Sequence, residues 1–132
     1  QNPIFLSVKL NKVEPNNALL LRDKLRETLL HRLGIKVSND SKLKESLLVS
    51  YDHISYHALG YDDDGYISRY RANITLHFNY TSLGKSFSKD ISAFHEADIS
   101  KSGVATRCIK QDAIWQASQK AIDQFIAYFA SR

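Results

Sequence analysis

At 132 residues, with 43% hydrophobic and 24% charged side chains, the chain fits one folded domain over 1–132, able to bury roughly two thirds of its unfolded surface without metal or disulfide help. No run approaches the roughly 18 apolar residues of a bilayer-spanning helix, and Gln1-Asn2-Pro3-Ile4-Phe5 begins almost directly in a strand-like run, as a mature domain does once a targeting segment is gone. The formal charge of +4 and pI near 9.2 favour an anionic partner, and a single cysteine, Cys108, excludes an internal disulfide and a cysteine-based zinc site.

Ile4 to Leu10 reads as a first strand, followed by a breaker-rich loop, Asn11 to Asn17, that holds Pro15. From Asn17 as N-cap, Ala18, Leu21, Leu25 and Leu29 mark one face of a helix that Gly34 ends. Ile35 to Val37 is either a short edge strand or a linker, and Ser41 to Glu45 a polar turn. Leu47 to Leu59, rich in β-branched and aromatic residues, leads to Tyr61-Asp-Asp-Asp-Gly-Tyr66, where Asp64-Gly65 signals a hairpin with positive φ at both turn positions. Tyr66 to Tyr80 then alternates. Tyr70, Ala72, Ile74, Leu76 and Phe78 point one way, and Arg69, Arg71, Asn73, Thr75, His77 and Asn79 the other. A second turn at Ser82-Leu83-Gly84-Lys85 leads into a strand with Phe87, Ile91, Ala93, Ala97 and Ile99 in step. After a break at Ser100 to Gly103, a long helix from about Ala105 to Ala130 carries Ile109, Ala113, Ala117, Ala121, Phe125 and Phe129 along one stripe. The predicted fold is α+β, ordered β-α-β-β-β-α, with two helices on one face of a mainly antiparallel four-stranded sheet. The other face then offers Arg69, Arg71, Thr75 and His77 to solvent or a partner.

Candidate chemistry is sparse. Aligning Gly65 with the sixth position of a calcium loop puts Gly60 first and Arg71 twelfth, so two key ligands are missing and a solvated hairpin tip is the better reading of the aspartates. His31, His53, His57, His77 and His95 lack the spacings of a metal or catalytic motif; His53 and His57, four apart in a strand-like segment, read as ordinary strand-face residues, leaving no metal site and no enzyme constellation. Cys108 is expected to pack as a small hydrophobe against the sheet. No phosphate-cradling glycine motif is present, and no cofactor is implied. Arg69 and Arg71 project together, Lys85 and Lys89 could approach them across the second hairpin, and paired arginines suit phosphate oxygens, although Glu96 and Asp98 lie on the adjoining strand. Tyr61 and Tyr66 flank the hairpin tip, where they either pack the turn or anchor a partner.

The opening Ile4-Phe-Leu-Ser-Val-Lys with Glu14-Pro15-Asn16, then Leu21-Arg-Asp-Lys-Leu, Tyr61 through Thr75 and Lys120-Ala-Ile-Asp-Gln-Phe-Ile-Ala-Tyr resemble the LptE family of lipopolysaccharide-assembly outer-membrane lipoproteins, in its divergent branch. The likeness runs over nearly the whole chain. It implies two helices on one side of a four-stranded sheet and a lipid-modified cysteine ahead of Gln1 that anchors the domain on the periplasmic side of the outer membrane. It also implies residence inside an LptD-like β-barrel as plug and assembly aid, and lipopolysaccharide binding through basic residues. The local candidates for lipopolysaccharide are Arg69, Arg71, Lys85 and Lys89, and for partner contact Tyr61, Tyr66, Thr75 and His77. Two alternatives come from other classes: a double-stranded-RNA module, which shares the α-β-β-β-α order but lacks a lysine cluster opening the last helix (Lys101, Arg107 and Lys110 are spread out), and a periplasmic lipoprotein that activates a cell-wall enzyme.

Overall fold

The structure, a computed structural model, describes residues 3–9, 15–99 and 106–132. Among these, five strands and two helices run β1 (Ile4–Val8), α1 (Pro15–Leu33), β2 (Val37–Ser38), β3 (Glu45–Tyr61), β4 (Ile67–Ser82), β5 (Lys85–Asp98) and α2 (Thr106–Ala130). The sheet is five-stranded and mixed, in the order β2-β1-β3-β4-β5. This corrects the four-stranded, mainly antiparallel expectation. The chain leaves β1, crosses over through α1 and returns, so β1 lies parallel to both its neighbours, β2 and β3. The two-residue edge strand β2 realises, at Val37–Ser38, the edge-strand alternative offered for Ile35 to Val37.

The alternation in β4 is realised in full: Tyr70, Ala72, Ile74, Leu76 and Phe78 are buried and join Leu21, Leu25 and Leu29 of α1 and Ala117, Ala121, Ile122 and Phe125 of α2 in one core. Both helices therefore cover the same side of the sheet. Phe78 and Phe125 stack with centroids 3.9 Å apart, and the buried Tyr51 hydroxyl donates to Ser118 Oγ at 2.6 Å, which in turn donates to the Ile114 carbonyl at 2.7 Å. Burial pushes the Tyr51 phenol above its ordinary range, and the bond to Ser118 opposes part of that rise.

Local details differ from expectation for identifiable reasons. Helix α1 starts at Pro15, a residue pre-set for a first helical turn, so Asn17 lies inside the helix and is buried instead of capping it. Gly34 closes the helix with φ +68° and an N–H bond to the Leu30 carbonyl, the left-handed cap expected of it. At the first hairpin only Gly65 has positive φ. Asp62 Oδ1 accepts from the N–H groups of Asp64 and Tyr66, both at 3.0 Å, so this carboxylate is spent on its own loop. The paired left-handed turn sits at the second hairpin, on Leu83 (φ +52°) and Gly84 (φ +79°). Cys108 is exposed, a correction to its predicted packing, because the buried face of α2 runs through Ala113, Ile114, Ala117, Ala121 and Ile122 and turns Cys108 outward. Of the predicted loop Asn11 to Asn17, residues 15–17 belong to α1 instead and residues 11–14 lie outside the described residues, as do the break at Ser100 to Gly103 and Lys101.

Candidate functional site

Among the described residues, no helix covers the side of the sheet away from α1 and α2. On β4 and β5 it is built from directly opposed polar pairs: Thr75 with Ser92 at 2.8 Å, Thr81 with Ser86 at 2.8 Å, Ser88 donating to Asn79 at 3.4 Å, and His77 with Asp90 at 2.5 Å. Cross-strand pairs of this kind stabilise a sheet without burying it. In β3 the register slips between Tyr51 and His53, and this bulge inverts the strand's phase. Leu47, Val49 and Tyr51 face the core before it, whereas after it Ile54 and Tyr56 sit opposite Ile74 and Ala72 and His53 and His57 sit opposite Thr75 and Arg71 on the open side. The two histidines do share a face, as their even spacing requires.

At one end of this face Arg69 donates to Glu96 Oε1 at 2.7 Å, and Arg71 donates to Glu96 Oε2 from Nη2 at 2.7 Å and Nε at 3.2 Å. Asp98 lies 3.9 Å from Arg69. The hydrogen bond from Arg71, with Arg69 adding to it, holds the Glu96 carboxyl below its usual range. Arg71 also stacks 4.5 Å above the half-exposed Phe94 ring, while Lys120 reaches from α2 to donate to the Phe94 carbonyl at 2.9 Å. Along the three long strands the open face thus sets Arg69 and Arg71 against Asp52, Asp90, Glu96 and Asp98, so it is polar and not positive as the sequence suggested.

Lys85 and Lys89 are not brought to this cluster. They pair in register with Ser82 and Phe78, and Phe78 points into the core, so both lysines project on the helix side at the opposite end of the hairpin. There Lys89 lies 4.7 Å over the Tyr128 ring and Arg132 lies 3.5 Å over Phe87. Tyr80, Ser82, Lys85, Phe87 and Arg132 line a concavity, and the Tyr80 hydroxyl donates to Glu45 at 3.3 Å. The sequence reading missed Arg132 and Tyr128. Thr75 and His77 sit on the open face as predicted, and Tyr61 and Tyr66, 65% and 73% exposed, flank the first hairpin tip beside a concavity lined by Ile67, Tyr70 and Ile99. Among the described residues, no helix is long and apolar enough to cross a membrane.

Among the described residues the architecture is a two-helix layer on one face of a five-stranded mixed sheet whose other face is polar. The chain belongs to the LptE lipopolysaccharide-assembly family, whose sequence model matches residues 5–129. Its fold is similar to that of rare lipoprotein B from Shewanella oneidensis (TM-score 0.67, 16% identity, covering 99% of this chain and 95% of that one). It is also similar to a lipoprotein from Caulobacter crescentus (0.59, 20%, 97% and 88%) and to a minor lipoprotein from Acinetobacter baumannii (0.57, 12%, 93% and 86%). A search of curated proteins finds no match.

Proposed function

We propose that this chain is a non-enzymatic, lipid-anchored outer-membrane component that docks into a lipopolysaccharide-translocating β-barrel of the LptD type, acting as plug and assembly aid, and that it binds lipopolysaccharide itself. The observation that carries this reading is the open sheet face. Its Ser, Thr, Asn and His pairs are satisfied across strands, so the face stays folded when wet and can lie against a hydrated barrel wall without leaving buried polar groups unpaired. Family membership supplies the lipopolysaccharide-assembly context. Arg69 and Arg71 are the phosphate-binding pair in this account, and Glu96 is the internal anion that a lipid phosphate has to displace. Lys85 and Lys89, with Arg132, form a second and separate cationic spot.

The RNA-binding alternative fits less well. Lys110 lies over the rings of Tyr56 and Tyr70 and not in a basic row, and the fold carries a parallel strand and an extra edge strand beyond a three-stranded sheet. No observation favours the cell-wall-enzyme activator. The expected result for the lipid-anchored protein is retrieval of one outer-membrane β-barrel from detergent-solubilised membranes, read by mass spectrometry of the eluate. Retrieval of a cell-wall enzyme with no barrel would overturn the reading.

A further inference from the structure

Three neighbouring strands each place one metal-binding side chain in a row across the middle of the open face. These are Asp52 from β3, His77 from β4 and Asp90 from β5, and among the described residues they are the one set of three whose ligand atoms all lie within 4.8 Å of one another. The β3 bulge sets up this row. Tyr51 and Ile54 both face the helices, so the two residues between them, Asp52 and His53, are turned together onto the open side where a regular strand would turn one. His77 and Asp90 are directly opposed in the register, and Nδ1 lies 2.5 Å from Oδ1.

We propose that Asp52, His77 and Asp90 bind a divalent transition-metal cation of the zinc class on the outer face of the sheet. The chemistry follows from the donors. Two carboxylate oxygens and one imidazole nitrogen suit zinc, whereas calcium and magnesium sites are built from oxygen alone. An ion at bond lengths of about 2.0–2.2 Å would replace the proton between His77 and Asp90 and open their contact to roughly 3.3 Å, a small rotation for an aspartate on the surface. Three protein ligands leave the fourth tetrahedral position to water or to a donor from a partner, the pattern of an open zinc site. The bound ion would tie the three long strands together on the side that no helix covers. This inference does not rest on the lipopolysaccharide-assembly reading.

The test is isothermal titration of the 132-residue chain with Zn²⁺ alone, beside the single variants His77→Ala, Asp52→Asn and Asp90→Asn and the double variant His53→Ala/His57→Ala, each checked for native circular dichroism. The wild type is expected to take up one equivalent. Each single variant is expected to lose at least about tenfold in affinity, since removal of even an outer-shell partner of a metal site costs about 10–100-fold. The double variant should bind as the wild type does. Absence of saturable binding to the wild type, wild-type affinity in any of the three single variants, or loss confined to His53→Ala/His57→Ala overturns the site.

Discussion

Replacing Phe125 by alanine is expected to destabilise the domain by about 3–5 kcal/mol, the cost of emptying a fully enclosed aromatic site. The ring has no exposed surface, stacks on Phe78 with planes 4° apart, and meets Phe129 at 5.6 Å. It joins α2 to the C-terminal half of β4, between a helix and a sheet that cannot collapse toward each other without moving the rest of the core. For a domain of this size the loss lowers the unfolding midpoint by roughly 10–18 °C, out of a total stability of about 5–15 kcal/mol. Phe129→Ala, at the partly open end of the helix, should cost less. Chemical denaturation followed at Trp115 measures both. A loss below about 1 kcal/mol for Phe125→Ala would show that this ring does not close the core.

The second large effect concerns ligand binding. Arg69→Ala with Arg71→Ala is expected to weaken lipopolysaccharide binding by at least about tenfold, because each guanidinium can make charge-assisted hydrogen bonds worth roughly 1.5–3 kcal/mol. Loss of charge alone could mimic this, so Glu96→Gln is the sharper variant. It removes the anion now held at 2.7 Å by both arginines, keeps the side chain's shape, and is expected to tighten binding several-fold. Lys85→Ala with Lys89→Ala should give a smaller loss that adds to the first, since the lysines lie on the other side of the sheet, Lys89 over Tyr128, away from the Glu96 that both arginines hold. Binding to immobilised lipopolysaccharide, with folding verified in each variant, reads all three. Weaker binding by Glu96→Gln would assign Arg69 and Arg71 a purely structural role.

The sequence made the architecture legible wherever a period was long enough to repeat. Five alternate apolar residues in β4 and the stripe on α2 announced a half-buried strand and a covering helix, and the structure has both. Strand direction carries no such signal in a five-residue strand, and the parallel pairing of β1 had to come from the crossover through α1. The bulge at Asp52 was equally hidden: a period of two read through Leu47 to Leu59 breaks phase at one residue, and only the partner strand's register shows where.

The site was less legible than the fold. Arg69, Arg71, Thr75 and His77 were placed correctly by alternation alone. Lys85 and Lys89 could have been placed by the same rule, because they share parity with Phe87 and Ile91, which were read as inward-facing. Reading the four cations as one cluster set proximity along the hairpin above the parity of its strands. Arg132 and Tyr128 join Lys89 and Phe87 through tertiary packing of the end of α2, which leaves no mark in local spacing. The pairing of Glu96 with both arginines was within reach, since Arg71 and Glu96 are direct cross-strand neighbours once the turn at Leu83-Gly84 fixes the register.

Whether the open sheet face meets a barrel is tested most directly by a photo-crosslinking side chain at Thr75, in the middle of that face, beside one at Glu27 on the exposed side of α1, in the lipid-anchored protein in living cells. An adduct with an outer-membrane β-barrel from position 75 is the predicted result. Adducts from position 27 with none from position 75 would contradict it.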